Sequence, residues 1–214
     1  MARKLKSDKL LFVSTLLLVC SSVVMVYSAS SQMAMDRYEQ SYFFLFKQVT
    51  WAMLGVCLLL MAMQVDYHKL KKPAIIWVGL GLSTAALVAV LFGPTINGTR
   101  RWFGIAGVGV QPSELAKVAV ILFVAAILER RMHRIDELSY SLAPVAVVTG
   151  IVTGLIYLEP DYGTALTLLL IVGAMVFAAG LSYRYLLGVS ATIVPLLVLA
   201  LASAPYRVRR LLAF

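Results

Sequence analysis

A succession of apolar runs, each close to the twenty or so residues that cross a bilayer as a helix, limits this chain more than any other feature. The runs cover Leu10 to about Tyr27, about 46–64, Pro73 to about Phe92, about 114–128, about 141–158, about 165–182 and about 186–203. With 61% hydrophobic and 14% charged residues and a mean hydropathy of +0.90, the chain is too apolar for a soluble domain. No ten-residue alternating pattern suggests a barrel. The expected fold is all-α: a polytopic transmembrane bundle of about seven spans, forming a single membrane domain over residues 1–214.

The formal net charge of +9 invites a nucleic-acid reading, but the cations stand in small groups between apolar runs. The positive-inside rule explains that distribution more simply. Arg3, Lys4, Lys6 and Lys9 precede a first run too long for a signal-peptide core, so a retained first helix with a cytoplasmic N-terminus is expected. The inner segments then hold those four together with Lys69, Lys71, Lys72, Arg130, Arg131, Arg134 and Arg184. The outer loops hold Arg37, Arg100 and Arg101, with Lys47 at a helix mouth. Seven spans would also place Arg207, Arg209 and Arg210 outside, which marks either a miscounted span or an external anion contact. Cys20 and Cys57 lie in apolar segments and read as small hydrophobes; His68 and His133 stand in basic loops without ligand partners at metal spacing.

Between the third and fourth runs lies Gly93–Lys117, with two arginines, a tryptophan, five glycines, two prolines and a Glu/Lys pair three residues apart. Gln111-Pro112-Ser113-Glu114 reads as a helix start: Gln111 a weak N-cap, Pro112 the first helical residue, Glu114 favoured by the helix N-terminus. Lys117 then falls within an apolar run, where an ionisable group is a functional-site hypothesis, and Glu114 on the same face is its first partner. The aromatics Tyr42, Phe43, Phe44 and Phe46 suit an interfacial belt or plain packing, and Ser28 to Gln40 reads as a polar connector.

Arg100, Arg101 and the terminal arginines can hold phosphates, because guanidinium forks match phosphate oxygens; contact with bulk lipid headgroups is the plainer reading. Glu114, Lys117, Glu159 and Asp161 can form a buried ion network in which carboxylate and ammonium tune one another. The plainer reading of Asp161 before Gly163 and Thr164 is a helix cap.

Taken in order, Asn97-Gly98-Thr99-Arg100-Arg101-Trp102-Phe103, Gln111-Pro112-Ser113-Glu114 with Lys117, Glu159-Pro160-Asp161-Tyr162-Gly163-Thr164-Ala165 and Tyr206-Arg207-Val208-Arg209-Arg210 resemble the motifs of the SEDS (FtsW/RodA) family. The ending, together with Tyr27-Ser28-Ala29-Ser30, resembles the division branch more than the elongation branch. The resemblance implies a ten-helix fold and a peptidoglycan glycosyltransferase of the bacterial cytoplasmic membrane that polymerises lipid II for septal wall synthesis. Its implied partners are a class B penicillin-binding transpeptidase and other division proteins. No cofactor is evident, and a divalent cation is the one requirement left open. The implied substrate-binding residues are Lys47, Arg100, Arg101, Trp102, Glu114, Lys117, Asp161, Arg207 and Arg210. The catalytic residue is unassigned, since the family's His-Thr-Asp-Phe motif does not occur in these 214 residues and is expected beyond Phe214. The chain therefore reads as an N-terminal portion, inactive alone. Two other classes compete: a lipid flippase or transporter, and a noncatalytic scaffold that recruits the transpeptidase.

Overall fold

The computed structural model describes residues 8–95, 99–105, 108–131, 138–181, 188 and 191. Arg207, Arg209 and Arg210 lie outside these residues, as does the seventh apolar run apart from Gly188 and Ala191. Six α-helices and one short hairpin occur among the described residues, in the order α1 (Lys9–Tyr38), α2 (Phe43–Ala62), α3 (Pro73–Leu91), β1 (Phe103–Ile105), β2 (Val108–Val110), α4 (Pro112–Arg131), α5 (Ala143–Leu158) and α6 (Tyr162–Ala178). By length and composition α1, α2, α3 and the segment Tyr140–Leu158 are apolar enough to cross a membrane. These helices make the chain an integral membrane protein. Charges at both ends of α4, Glu114 and Lys117 at one and Glu129 to Arg131 at the other, lower its apolarity, and α6 is shorter, at 17 residues.

The chain divides into two compact units, Met1–Lys69 and Leu70–Phe214. In the first, α1 and α2 pair. Asp8 caps α1, accepting hydrogen bonds from the Leu10 and Leu11 N–H groups at 2.9 and 3.2 Å. The helix then runs 30 residues, ten past the connector expected to begin at Ser28. Ser28–Tyr38 contains no glycine or proline, and the Ser30 hydroxyl donates back to the Val26 carbonyl at 2.6 Å, so nothing local stops the helix. It ends where Glu39 turns left-handed, φ 56°, and its N–H closes on the Met35 carbonyl. The aromatics of this turn stack on one another: Tyr27 on Tyr42 with centroids 5.7 Å apart, Tyr38 on Phe43 at 4.2 Å.

In the second unit α4 is the central helix, packing against α3, α5 and α6. Its buried face carries Ala116, Ala119, Val120, Phe123 and Val124, small residues alternating with larger ones so that neighbouring backbones can approach. Leu87 of α3, Ile156 of α5 and Leu168 of α6 are completely buried in the same core, and Trp77 meets Phe123 edge to face at 5.7 Å.

The two ends of this bundle differ chemically. At one end, Lys71 pairs with Glu129 at 2.5 Å and Arg131 donates to the Tyr140 carbonyl. At the other, the chain leaving α3 forms the antiparallel hairpin, with Phe103 opposite Val110 and Gly104 opposite Gly109. This short hairpin is a local addition to the expected all-α bundle, which the helices bear out. Its cause lies in the alternating Phe103-Gly104-Ile105 and Val108-Gly109-Val110 triplets, which suit strands, and in Pro112, which starts α4 directly afterwards.

Candidate functional site

The second unit gathers, at the hairpin end, side chains separated by up to sixty residues in sequence. Pro112 opens α4 as expected, but Gln111 does not spend its side chain as a cap. Its amide donates instead to the Asp161 carboxylate, at 2.5 Å. Asp161 caps α6: one oxygen accepts from the Thr164 N–H at 3.3 Å, the other from the Thr164 hydroxyl at 2.9 Å. The cap reading of Asp161 therefore holds, whereas the expected ion network of Glu114, Lys117, Glu159 and Asp161 is not formed among the described residues: Lys117 pairs with Glu114, and Asp161 meets Gln111 and Arg101 instead. Arg101 approaches the same carboxylate to 3.9 Å, an ion pair whose arginine is 35% exposed while its aspartate is 9% exposed. One carboxylate thus ties the hairpin approach, the start of α4 and the start of α6 together.

Arg100 is held apart from this centre, donating to the Leu91 carbonyl at 3.2 Å, where it satisfies the end of α3. Trp102 packs on the hairpin: a Cβ added at Gly109 would sit 3.0 Å from its ring, so glycine there makes room for the indole. On α4, Lys117 reaches Glu114 at 2.9 Å. The Lys117 side chain is 19% exposed and that of Glu114 57%, so the lysine lies deeper, about 8 Å along the helix from Pro112 at 1.5 Å per residue. Arg101, Trp102, Glu114, Lys117 and Asp161 consequently share one end of the bundle. Lys47 belongs to the first unit, where it is exposed on α2 and forms no ion pair with another described residue.

Two members of this end have surroundings that only the fold shows. Gln111 looked like a weak cap, and only the fold reveals its partner fifty residues on. Glu159, a candidate for a buried ion network, is completely buried, one residue past the α5 span, but neither carboxylate oxygen has a hydrogen-bond partner among the described residues. The fully buried Ser113 hydroxyl and the Arg101 Nε likewise lack partners there. Burial pushes the Glu159 carboxyl up to about 7; the Asp161 charge adds to that effect and the Arg101 charge opposes it.

A carboxyl whose proton is held more tightly in the folded state than in the unfolded chain stabilises the fold at low pH. That contribution is lost as pH rises from the ordinary value near 4.5 through about 7. Glu159→Gln, which keeps the shape of the protonated acid, is therefore expected to flatten the decline in thermal midpoint between pH 5 and pH 8. It should leave the protein more stable than the parent at pH 8, and thermal melts of both at the two pH values check this.

Helices long and apolar enough to cross a bilayer, with a hairpin, three cations and three carboxylates brought to one end, define a class: polytopic membrane proteins with an ionic site at one end of the bundle. The chain belongs to the family described as "Cell cycle protein" (FtsW, RodA, SpoVE), which matches it over residues 8–214. It is 37% identical over 211 residues to the probable peptidoglycan glycosyltransferase FtsW of Geobacter sp. (strain M18), covering 97% of this chain and 57% of that protein. It is 33% identical over 192 residues to the probable peptidoglycan glycosyltransferase FtsW of Bacillus subtilis (strain 168), covering 86% and 46%. Among solved structures, the Thermus thermophilus rod shape determining protein RodA superposes with a TM-score of 0.65 at 30% identity, over 85% of this chain and 57% of that one. A structure described as "Structural coordination of polymerization and crosslinking by a peptidoglycan synthase complex" gives 0.68 at 30% identity, over 92% and 56%. The FtsW names among these relatives agree with the leaning toward the division branch. The chain spans about half the length of the relatives it matches.

Proposed function

We propose that this chain forms the substrate-holding part of a peptidoglycan glycosyltransferase that polymerises lipid II at the outer face of the bacterial cytoplasmic membrane during division. The observation that carries the reading is the convergence of Arg101, Lys117 and the Asp161 network at one end of a bundle whose family relatives bear the glycosyltransferase name. In this account the hairpin end faces outward and the N-terminus lies inside, the orientation that the short basic segments favour. A diphosphate linking sugar to isoprenoid needs cations that tolerate partial desolvation. Arg101 and the deeper Lys117 meet that need.

In the transfer, the acceptor sugar hydroxyl loses its proton to a general base and its oxygen attacks the anomeric carbon of the lipid-linked donor. The bond to the undecaprenyl diphosphate breaks, and the cations stabilise the charge that develops on the diphosphate. The resemblance assigns the base to the aspartate of the family's His-Thr-Asp-Phe motif and adds Lys47, Arg207 and Arg210 as further substrate contacts. It also supplies the partner, a transpeptidase that crosslinks the product; the matched peptidoglycan synthase complex, which couples polymerization to crosslinking, supports that assignment.

The test is a lipid II assay on the protein carrying this chain in liposomes, read both as glycan length on a gel and as lipid II flipped between leaflets. Polymer is the expected product. Flipping without polymer would overturn the reading in favour of a transporter.

A further inference from the structure

Glu159 is the one carboxylate at the hairpin end that the proposed function leaves without work. It is completely buried, and both its oxygens lack a hydrogen-bond partner among the described residues. Burying an ionised carboxylate unpaired is strongly unfavourable, so the arrangement is compatible with a neutral acid. The charges that act on it are those of Asp161, two residues on, and Arg101. Arg101 itself is imperfectly used. It stands 3.9 Å from Asp161, longer than a charge-assisted hydrogen bond, and its Nε is buried and unpartnered.

The other groups around this loop are already engaged. The Gln111 amide and the Thr164 hydroxyl are bonded to Asp161, Arg100 donates to the Leu91 carbonyl, and Lys117 pairs with Glu114. The Tyr162 ring stacks edge to face on Tyr157, with centroids 4.9 Å apart. Among the described cations at this end, Arg101 alone combines a loose ion pair with an unsatisfied donor.

We infer that Glu159 is a positioning residue that competes with Asp161 for the Arg101 guanidinium, so that its protonation state decides which carboxylate holds Arg101 and the adjoining Trp102 hairpin. With Glu159 protonated, Arg101 leans on Asp161 as observed. When Glu159 releases its proton to solvent, a second buried negative charge appears beside Asp161, and the guanidinium with its free Nε is the donor that neutralises it. Arg101 then moves toward Glu159. Trp102, its chain neighbour, shifts on Gly109, where the backbone meets the indole with little spare room. The consequence for the proposed glycosyltransferase is that one phosphate-binding cation has two pH-selected positions. The device itself is a property of the fold and is read without any assay of polymerisation.

The experiment uses the chain in lipid nanodiscs with Trp51→Phe and Trp77→Phe, leaving Trp102 as the only tryptophan. Its emission is expected to titrate with a midpoint near the value of about 7 set by Glu159. Glu159→Gln should abolish the titration. Asp161→Asn, which removes the neighbouring like charge, should move the midpoint down. Arg101→Gln should abolish the response even if Glu159→Gln proves poorly folded, because the moving group is gone. A flat Trp102 signal in the parent, or a titration that survives unchanged in either Glu159→Gln or Arg101→Gln, would overturn the inference. Failure here with glycan still produced would leave the glycosyltransferase reading standing.

Discussion

Lys117→Met in a complete protein carrying this site is expected to cut lipid II polymerisation by about a hundredfold or more while leaving the thermal midpoint nearly unchanged. The large effect on rate follows from the lysine's place. It is 19% exposed on α4, at the end of the bundle that also carries Arg101 and Asp161, where a cation facing developing diphosphate charge contributes about two to three orders of magnitude. The small effect on folding follows from its partner. Glu114 is 57% exposed, so water replaces the lost ammonium, and a partly exposed pair of this kind contributes only about 0–1 kcal/mol. Methionine keeps the apolar stem of the side chain. Glycan synthesis measured beside a melting curve separates the two effects; full activity would remove Lys117 from the site.

Asp161→Ala is expected to do the reverse of this, acting first on the fold. The carboxylate caps α6 through Thr164, accepts the Gln111 amide and faces Arg101, so the substitution removes a helix cap and a bond between helices together. A cap contributes about 1 kcal/mol and a further bond to a charged group about 1.5–3 kcal/mol. Relief of the like charge beside Glu159 offsets part of the loss. A net cost of about 2 kcal/mol would lower the thermal midpoint by roughly 4–8 °C in a domain of this size. Asp161→Asn retains a capping oxygen and should lose less than half as much. Equal losses in the two variants would mean that the ion pair, not the cap and the Gln111 bond, holds this end together.

The contrast between these variants shows what sequence could and could not reveal. Pro73 and Pro112 fix the starts of α3 and α4, because proline sits without penalty where the first helical N–H is unpaired; those starts were legible. The Asp161 cap was legible for the same local reason. The partners of Asp161 were not. Gln111 lies fifty residues away, and nothing in either segment states that α4 and α6 begin side by side. The continuation of α1 to Tyr38 was not legible, because a serine-rich polar stretch suits a connector equally well, whereas in a helix a serine hydroxyl returns to a carbonyl of the preceding turn. Burial of Glu159 was part of the sequence reading, but its lack of a bonded partner was not legible, since Glu159-Pro160-Asp161 does not state which groups the fold brings within reach. Convergence of charges was readable as an outline, in that the intervals between spans put Arg101, Lys117 and Asp161 on the same side.

Binding of an undecaprenyl-diphosphate-linked sugar to the chain in nanodiscs, compared between Arg101→Gln at the hairpin end and Lys71→Gln at the opposite end, is the decisive measurement. Each variant removes one cation from an ion pair, so general charge loss and simple destabilisation are matched. The hairpin-end site predicts that Arg101→Gln weakens binding about tenfold or more, the equivalent of about 1.4 kcal/mol, while Lys71→Gln binds as the parent does. Equal affinity in all three proteins, or a loss confined to Lys71→Gln, would contradict it.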